Sequence, residues 1–283
     1  MTEKLVIVDE PMPLVRRITL NRPEKRNALS NELRAQLFDA MREADLDAEV
    51  RVIIIRGAGP SFSSGYDLKQ AMADNRQNLP RHASNIDGYW ARHLVEGWFE
   101  VWDYTTPVIA QVHGYCLAGG SELAAACDLV YVAEDAQIGY PPVRLMGTPD
   151  MMWQPWLMGM RRAAEALFTG DAISGVEAAQ MGVANRAFPA DQLEENVLAV
   201  AERISKVDRD LLALNKRALH RSMEIMGIRT ALRANTEAQA LSRVAEGPLK
   251  HRAELRENVK AALVSRDSQF GDYTGTKRDT NVS

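Results

Sequence analysis

The chain has 283 residues, of which 46% are hydrophobic and 25% charged, and its formal net charge is −4. That content supports a sizeable core in one domain or two. It excludes a whole-chain basic field of the kind that holds nucleic acid or an anionic lipid surface.

The N-terminus, MTEKLVIVDE, has no basic start followed by a long apolar run, so it does not read as a signal peptide. No stretch reaches the ~18 uninterrupted apolar residues of a membrane span. Residues Lys4 to Val8 and Leu14 to Leu20 are short β-branched-rich runs separated by Pro11 and Pro13, and they predict an opening hairpin. Asn21-Arg22-Pro23-Glu24 predicts a turn. Ser30 then caps a helix whose apolar positions Leu33, Leu37, Phe38 and Met41 fall at helical spacing. Val52 to Ile55 is a continuous apolar run, as in a strand buried on both faces.

Met72 to Asp87 is polar and aperiodic and reads as a mobile loop. A helix follows through Trp98 and ends near Tyr104. Pro107 opens a second buried strand, Val108 to Val112, which Gly114 ends. An Ala-rich helix starts near Gly119, and Asp128 to Ala133 is a further strand. Cys116 and Cys127 sit in small apolar surroundings without metal-ligand spacing, and they read as buried thiols in a reducing compartment. After Arg161 the texture turns helical. Ser174-Gly175-Val176-Glu177 fits a capping box, and Asp191 is placed to cap the next helix. The tail from Gly271 is polar. Strands and helices alternate first and helices alone follow, which predicts an α/β core with a helical C-terminal part.

Two glycine-containing segments each follow a buried strand: Ser61-Phe62-Ser63-Ser64-Gly65-Tyr66-Asp67-Leu68 and His113-Gly114-Tyr115-Cys116-Leu117-Ala118-Gly119-Gly120-Ser121-Glu122. Glycine lets a backbone approach a ligand closely. The second segment also opens a helix, whose first N–H groups lack intrahelical partners and carry the positive end of the dipole. Developing negative charge is stabilised there.

Together these segments resemble the paired signatures of the enoyl-CoA hydratase/isomerase (crotonase) family. Asn21 through Leu29 resembles the family's N-terminal motif, and Thr169-Gly170-Asp171 with Ala178 through Val183 its later one. The resemblance runs from about residue 5 to residue 190 in recognisable pieces and more weakly to 270. It implies the crotonase (ClpP/crotonase-like) fold, a spiral of ββα units followed by helices that mediate trimerisation. It divides the chain into a core with an acyl-CoA site (1–200), a helical oligomerisation region (201–265) and a polar tail (266–283). It also implies that the N–H groups of Tyr66 and Gly119 hold a thioester oxygen as it becomes an enolate oxygen. Tyr66 stands where the family often has alanine. Lys25 and Arg26 fall where the family meets the coenzyme's phosphate end, with Ala28, Ser64, Asp67 and Leu68 near the nucleotide pocket and Phe270 reaching the coenzyme in this or a neighbouring subunit. Asp67 is also placed simply to cap a short helix.

Glu122 matches the first of the two catalytic glutamates of the hydratases. At the second position stands Pro142, which has no proton to exchange, so the two-carboxylate scheme is incomplete. Asp150, eight residues on, falls where dienoyl-CoA isomerases of the family carry an additional acid. It is equally placed to be the N-cap of a following helix. The bulky Met151-Met152-Trp153-Gln154-Pro155-Trp156 replaces a glycine-rich stretch of the family. His113, where asparagine is frequent, reads as structural.

The expected function is therefore reversible hydration of a 2-enoyl-CoA, with double-bond isomerisation and acyl-CoA binding without turnover as the alternatives. The expected partner is an acyl-CoA thioester, in a homotrimer or dimer of trimers, with no nucleic acid and no membrane. No cofactor or metal is implied beyond the coenzyme A of the substrate, and the expected location is cytoplasmic.

Overall fold

The computed structural model describes residues 4–73 and 89–271. In chain order these form β1 (Val6–Met12), β2 (Val15–Leu20), a 3-10 turn (Pro23–Lys25), α1 (Asn31–Leu46), β3 (Val52–Gly57), α2 (Leu68–Ala73), α3 (Tyr89–Asp103), β4 (Val108–Val112), β5 (Tyr115–Leu117) and α4 (Gly119–Ala126). Then come β6 (Leu129–Ala133), β7 (Gln137–Gly139), a 3-10 turn (Pro141–Arg144), α5 (Gln154–Met158), α6 (Met160–Thr169), β8 (Ile173–Ser174), α7 (Gly175–Met181) and β9 (Arg186–Phe188). Helices follow alone: α8 (Leu193–Ser205), α9 (Arg209–Ile225), α10 (Ile228–Ser242), α11 (Glu246–Glu257), α12 (Val259–Asp267) and a closing 3-10 turn (Ser268–Phe270).

The main sheet has the order β1-β2-β3-β4-β6-β9, and β5-β7-β8 form a second, smaller sheet. β1 and β2 pair antiparallel as the predicted hairpin. β1 runs on through Pro11, which an edge strand tolerates because its missing N–H faces no partner. The central strands β3 and β4 pair parallel, with Ile53 opposite Val108, and their apolar runs are buried on both faces. Ser30 caps α1 by accepting from the Leu33 N–H (3.2 Å), and the apolar stripe Leu33, Leu37, Phe38, Met41 packs into the core.

Several expectations shift. The stretch after Arg161 is not helical throughout, because β8 and β9 interrupt it and β9 completes the main sheet against β6. Strands of two or three residues are too short to show a period of two. Met72 and Ala73 belong to α2, and the rest of the expected loop, 74–87, lies outside the described residues, as does the tail beyond Gly271. The Ser174–Glu177 capping box forms as expected. Asp191 does not cap α8: a turn in which the Gln192 N–H donates to the Pro189 oxygen (2.9 Å) carries the chain past it, and Gln192 begins the helix without a side-chain cap.

The expected boundary between residues 200 and 201 falls inside α8, whose Leu193, Val197 and Ala201 are buried. Beyond it α9 is anchored to the core through Asp128, which takes Lys216 Nζ at 2.8 Å and His220 Nε2 at 3.0 Å. No helix among the described residues is long and apolar enough to cross a membrane.

Candidate active site

The two glycine segments meet edge to edge. The Ser63 N–H donates to the Tyr115 oxygen (2.9 Å) and the Leu117 N–H to the Ser63 oxygen (3.0 Å), a parallel bridge that aligns the loops after β3 and β4. Gly65 then turns with φ +99°, where a side chain is strained, and a Cβ there would lie 3.3 Å from the Gly119 nitrogen. The first loop is pinned from the other side by Leu29, whose N–H donates to the Gly65 oxygen (2.8 Å) and whose oxygen accepts from Asp67 (3.2 Å). The two segments that carry the expected donors, Tyr66 and Gly119, are thus in direct contact.

Ala118, the residue before Gly119, holds φ +49° and ψ −122°. A non-glycine residue held there costs on the order of 1–3 kcal/mol and persists only where its surroundings fix it. Its N–H is bound to the Gly139 oxygen at 2.9 Å, and its own oxygen accepts from Ser121 Oγ at 2.8 Å. The space over Gly119 belongs to protein: a Cβ there would come within 2.7 Å of the Tyr66 ring. The glycine expected to admit a ligand admits this phenol.

Glu122 lies in the first turn of α4 and is fully buried. Its Oε2 accepts from the Tyr66 hydroxyl (2.6 Å) and from Trp98 Nε1 (3.3 Å), and its Oε1 from the Met151 N–H (3.0 Å). Burial pushes its pKa up to about 8, with the charge of Asp150 adding to the rise and the hydrogen bonds opposing it. Burial also raises the Tyr66 phenol well above its ordinary range, so it stays a donor.

Asp150 is buried, and no helix begins at it: α5 starts later, at Gln154, with Trp153 before it. The capping alternative therefore falls. Its Oδ2 accepts from the Tyr140 hydroxyl (3.2 Å), whereas Oδ1 has no partner among the described residues. Burial raises its pKa to about 6, against the pull of Arg243, the Tyr140 hydrogen bond and Arg34. Two buried, mutually repelling carboxyls lose their protons in separate steps, so over some range of pH the pair holds one proton between them.

Lys25 and Arg26 are exposed, and the structure brings Ser64 to them: its N–H donates to the Arg26 oxygen (2.9 Å) and its hydroxyl to the Lys25 oxygen (3.4 Å). Arg26 also lies 5.0 Å from the centroid of the Tyr115 ring. Ala28 and Leu68 are half-buried beside them in the chain, and the Ala28 oxygen accepts from Arg22 (3.2 Å). Asp67 does cap α2, accepting from the Gln70 N–H (3.1 Å), and it pairs with Arg22 at 2.6 Å. Burial opposes its charge, but these donors prevail and hold the carboxyl below its usual range. Phe270 joins a different cluster. Its ring centroid lies 3.9 Å from the Arg144 guanidinium, which is itself paired with Asp267 (3.0 Å) and Asp171 (2.9 Å). His113 bonds the Gly59 oxygen (2.8 Å), a structural role as expected.

Sequence reasoning passed over four contributors. Asn27, fully buried, donates to the Ala58 and Ser61 oxygens (2.9 and 2.8 Å) and fastens the N-terminal motif to the first loop. Trp98 and Tyr140 supply hydrogen bonds to the two acids. Arg34 is buried on the apolar face of α1, 5.9 Å from the Tyr66 ring centroid. The last had a signal: a charge three residues before Leu37 and four before Phe38 lies on the stripe those residues define.

Among the described residues, no group of three or more His, Cys, Asp or Glu converges as metal ligands would. A cavity of about 180 Å³ opens elsewhere, lined by Trp102, Lys216 and His220 among others, but the last two are spent on Asp128.

Residues 13–266 match the family model for enoyl-CoA hydratase/isomerase. EchA13 of Mycobacterium tuberculosis, which carries a provisional enoyl-CoA hydratase name, is 35% identical over 234 residues, 76% of this chain and 73% of its own. A crystal structure of an enoyl-CoA hydratase from Mycobacterium smegmatis superposes with a TM-score of 0.86 at 31% identity, covering 96% of each chain. One of an enoyl-CoA hydratase/isomerase from Xanthobacter autotrophicus Py2 gives 0.85 at 34%, covering 95% of this chain and 99% of that one. The fold is the crotonase fold, and the chain belongs to the enoyl-CoA hydratase/isomerase family of enzymes.

Proposed function

We propose that this enzyme adds water reversibly across the double bond of a 2-enoyl-CoA thioester. The observation that carries the proposal is Glu122: a fully buried carboxyl in the first turn of α4, three residues after Gly119, coupled to a second buried acid at Asp150. The thioester oxygen sits against the N–H groups of Tyr66 and Gly119. The pair reacts from the form in which its one proton sits on Asp150: Glu122, ionised, takes a proton from water as its oxygen bonds to the β-carbon, and the π electrons move onto the thioester oxygen. The enolate collapses as Asp150 delivers a proton to the α-carbon, and the pair ends with the one proton it began with. Fixed N–H donors aimed at the developing charge contribute about a hundredfold or more each.

A second reading, double-bond isomerisation, is favoured by Pro142. With no glutamate there, the ionised member of the pair can take a proton from one carbon and the protonated member can give one to another, so that the pair holds one proton throughout. Lys25, Arg26 and Ser64 form the coenzyme's phosphate contact, with Ala28, Asp67 and Leu68 shaping the nucleotide end and Phe270 at its edge. The region from α9 onward mediates a trimer or dimer of trimers. In support, Leu214, Leu219, Ile225 and Leu241 on α9 and α10 are exposed apolar side chains. The reaction calls for no cofactor, since coenzyme A is part of the substrate, and the buried thiols Cys116 and Cys127 fit a reducing cytoplasm.

The test is incubation with 2-enoyl- and 3-enoyl-CoA thioesters of graded length, with products identified by mass and chromatography. A gain of one water supports hydration, and a moved double bond at constant mass supports isomerisation. Failure of every thioester to react counts against both. Sedimentation or light scattering gives the assembly state, and a monomer would contradict the trimer.

A further inference from the structure

Arg34 is a buried charged side chain that no acceptor among the described residues answers. It is 6% exposed. Its Nε is buried without a partner, and among the described residues its guanidinium forms no hydrogen bond or ion pair. Burial lowers its pKa, opposed by the charges of Tyr66, Glu122 and Asp150, which places it within electrostatic reach of all three. It projects from α1 towards α3, where Gly97 leaves room: a Cβ at Gly97 would meet the Phe38 ring at 3.3 Å and Arg34 Nη2 at 3.9 Å. On its other side the guanidinium carbon lies 5.9 Å from the centroid of the Tyr66 ring, the ring whose hydroxyl holds Glu122. Arg34 thus stands one aromatic ring away from the acid and from the Gly119 backbone.

A buried cation without an acceptor is costly, and an acceptor brought by a ligand relieves that cost. A guanidinium is a planar fork that matches a carboxylate with two parallel hydrogen bonds. An aliphatic acyl chain would leave the Arg34 guanidinium without an acceptor. We infer that the acyl group of the substrate ends in a carboxylate, which Arg34 receives, so that the substrate class is the CoA monothioester of an unsaturated dicarboxylic acid.

The inference rests on the acyl-CoA reading of the site. Its test compares two 2-enoyl-CoA thioesters of matched length, one ending in a methyl group and one in a carboxylate. Binding is followed by calorimetry and turnover by product mass, for the wild type, Arg34→Gln and Arg34→Lys. The expected result is a wild-type kcat/KM at least about tenfold higher for the carboxylated thioester. Arg34→Gln should collapse that ratio, mainly through KM for the carboxylated substrate, and Arg34→Lys should restore part of it. Equal or better use of the methyl-ended thioester by the wild type overturns the inference while leaving the acyl-CoA reading intact. So does an Arg34→Gln loss that is equal for both substrates, which would make Arg34 a counter-ion of the two acids. Failure of both thioesters to bind the wild type overturns the acyl-CoA reading and this inference with it. The wild-type ratio stands as a test even if a variant fails to fold.

Discussion

The two halves of the site are built on different principles. Around Gly119 nearly everything is local: a strand ends, a strained Ala118 turns the chain, a helix begins, and Glu122 follows in its first turn. The donors on Glu122 come from three separate elements, and they hold its two oxygens in fixed directions. Around Asp150 nothing local explains the position. Proline replaces the expected glutamate, the chain leaves a 3-10 turn at Arg144, and Asp150 is buried against Tyr140 with one oxygen unmatched. The first half is a prebuilt frame, and the second is an acid held by tertiary burial with one oxygen unmatched among the described residues. Each half can be broken separately, and the sizes of the losses distinguish them.

The largest effect belongs to the frame. Glu122→Gln keeps the shape but removes the base, and kcat for thioester turnover should fall by about a thousandfold with thioester binding retained. Steady-state kinetics checks this, and a loss under tenfold would move the base elsewhere. Asp150→Asn should cost about a hundredfold in kcat, because water can replace a proton donor in part.

Gly119→Ala sharpens the comparison from the packing side. The new Cβ would meet the Tyr66 ring at 2.7 Å, so the protein should lose on the order of 2 kcal/mol in denaturant unfolding. Adding Tyr66→Ala should recover much of that loss, since the two changes share one contact. Additive losses would show that the ring is not what fills the space.

A smaller effect is carried by pH. Glu122 and Asp150 both bind protons more tightly when folded than their ordinary carboxyl values, with Glu122 at about 8. The folded state keeps protons that the unfolded chain gives up, so stability from these groups is full below about pH 4 and falls as pH rises through about 8. The melting temperature of Glu122→Gln relative to the wild type should therefore climb between about pH 5 and about pH 9. A flat difference would mean that the carboxyl is not desolvated. Smallest of all, Tyr66→Phe removes a donor to Glu122 and should move the ionisation that governs kcat upward, with about a tenfold loss at neutral pH.

How much of this was readable beforehand follows the same division. The frame was legible because it is written in short segments: Gly65, Gly119 and Glu122 stand at fixed spacings, and Ser30 announces α1 three residues before Leu33. The long parallel strands showed as apolar runs. The short strands β8 and β9 did not, because two or three residues carry no periodicity. Asp150 stayed ambiguous because a cap and a buried acid look alike in sequence, and only tertiary packing separates them. The contact of the Phe270 ring with Arg144, 126 positions apart, is one that no local pattern encodes. Tyr66 was noted as standing where the family often has alanine, but its hydroxyl could not be assigned to Glu122 without the fold.

The central claim is that the Glu122–Asp150 pair moves protons on a thioester whose oxygen is held by the Tyr66 and Gly119 N–H groups. It is tested most directly by turning over a 2-enoyl-CoA in deuterated water and reading the product by mass. The account predicts a hydrated product with one carbon-bound deuterium at the α-position in the wild type, and its near-complete loss in both Glu122→Gln and Asp150→Asn. Undiminished formation of the same labelled product in either variant would contradict it.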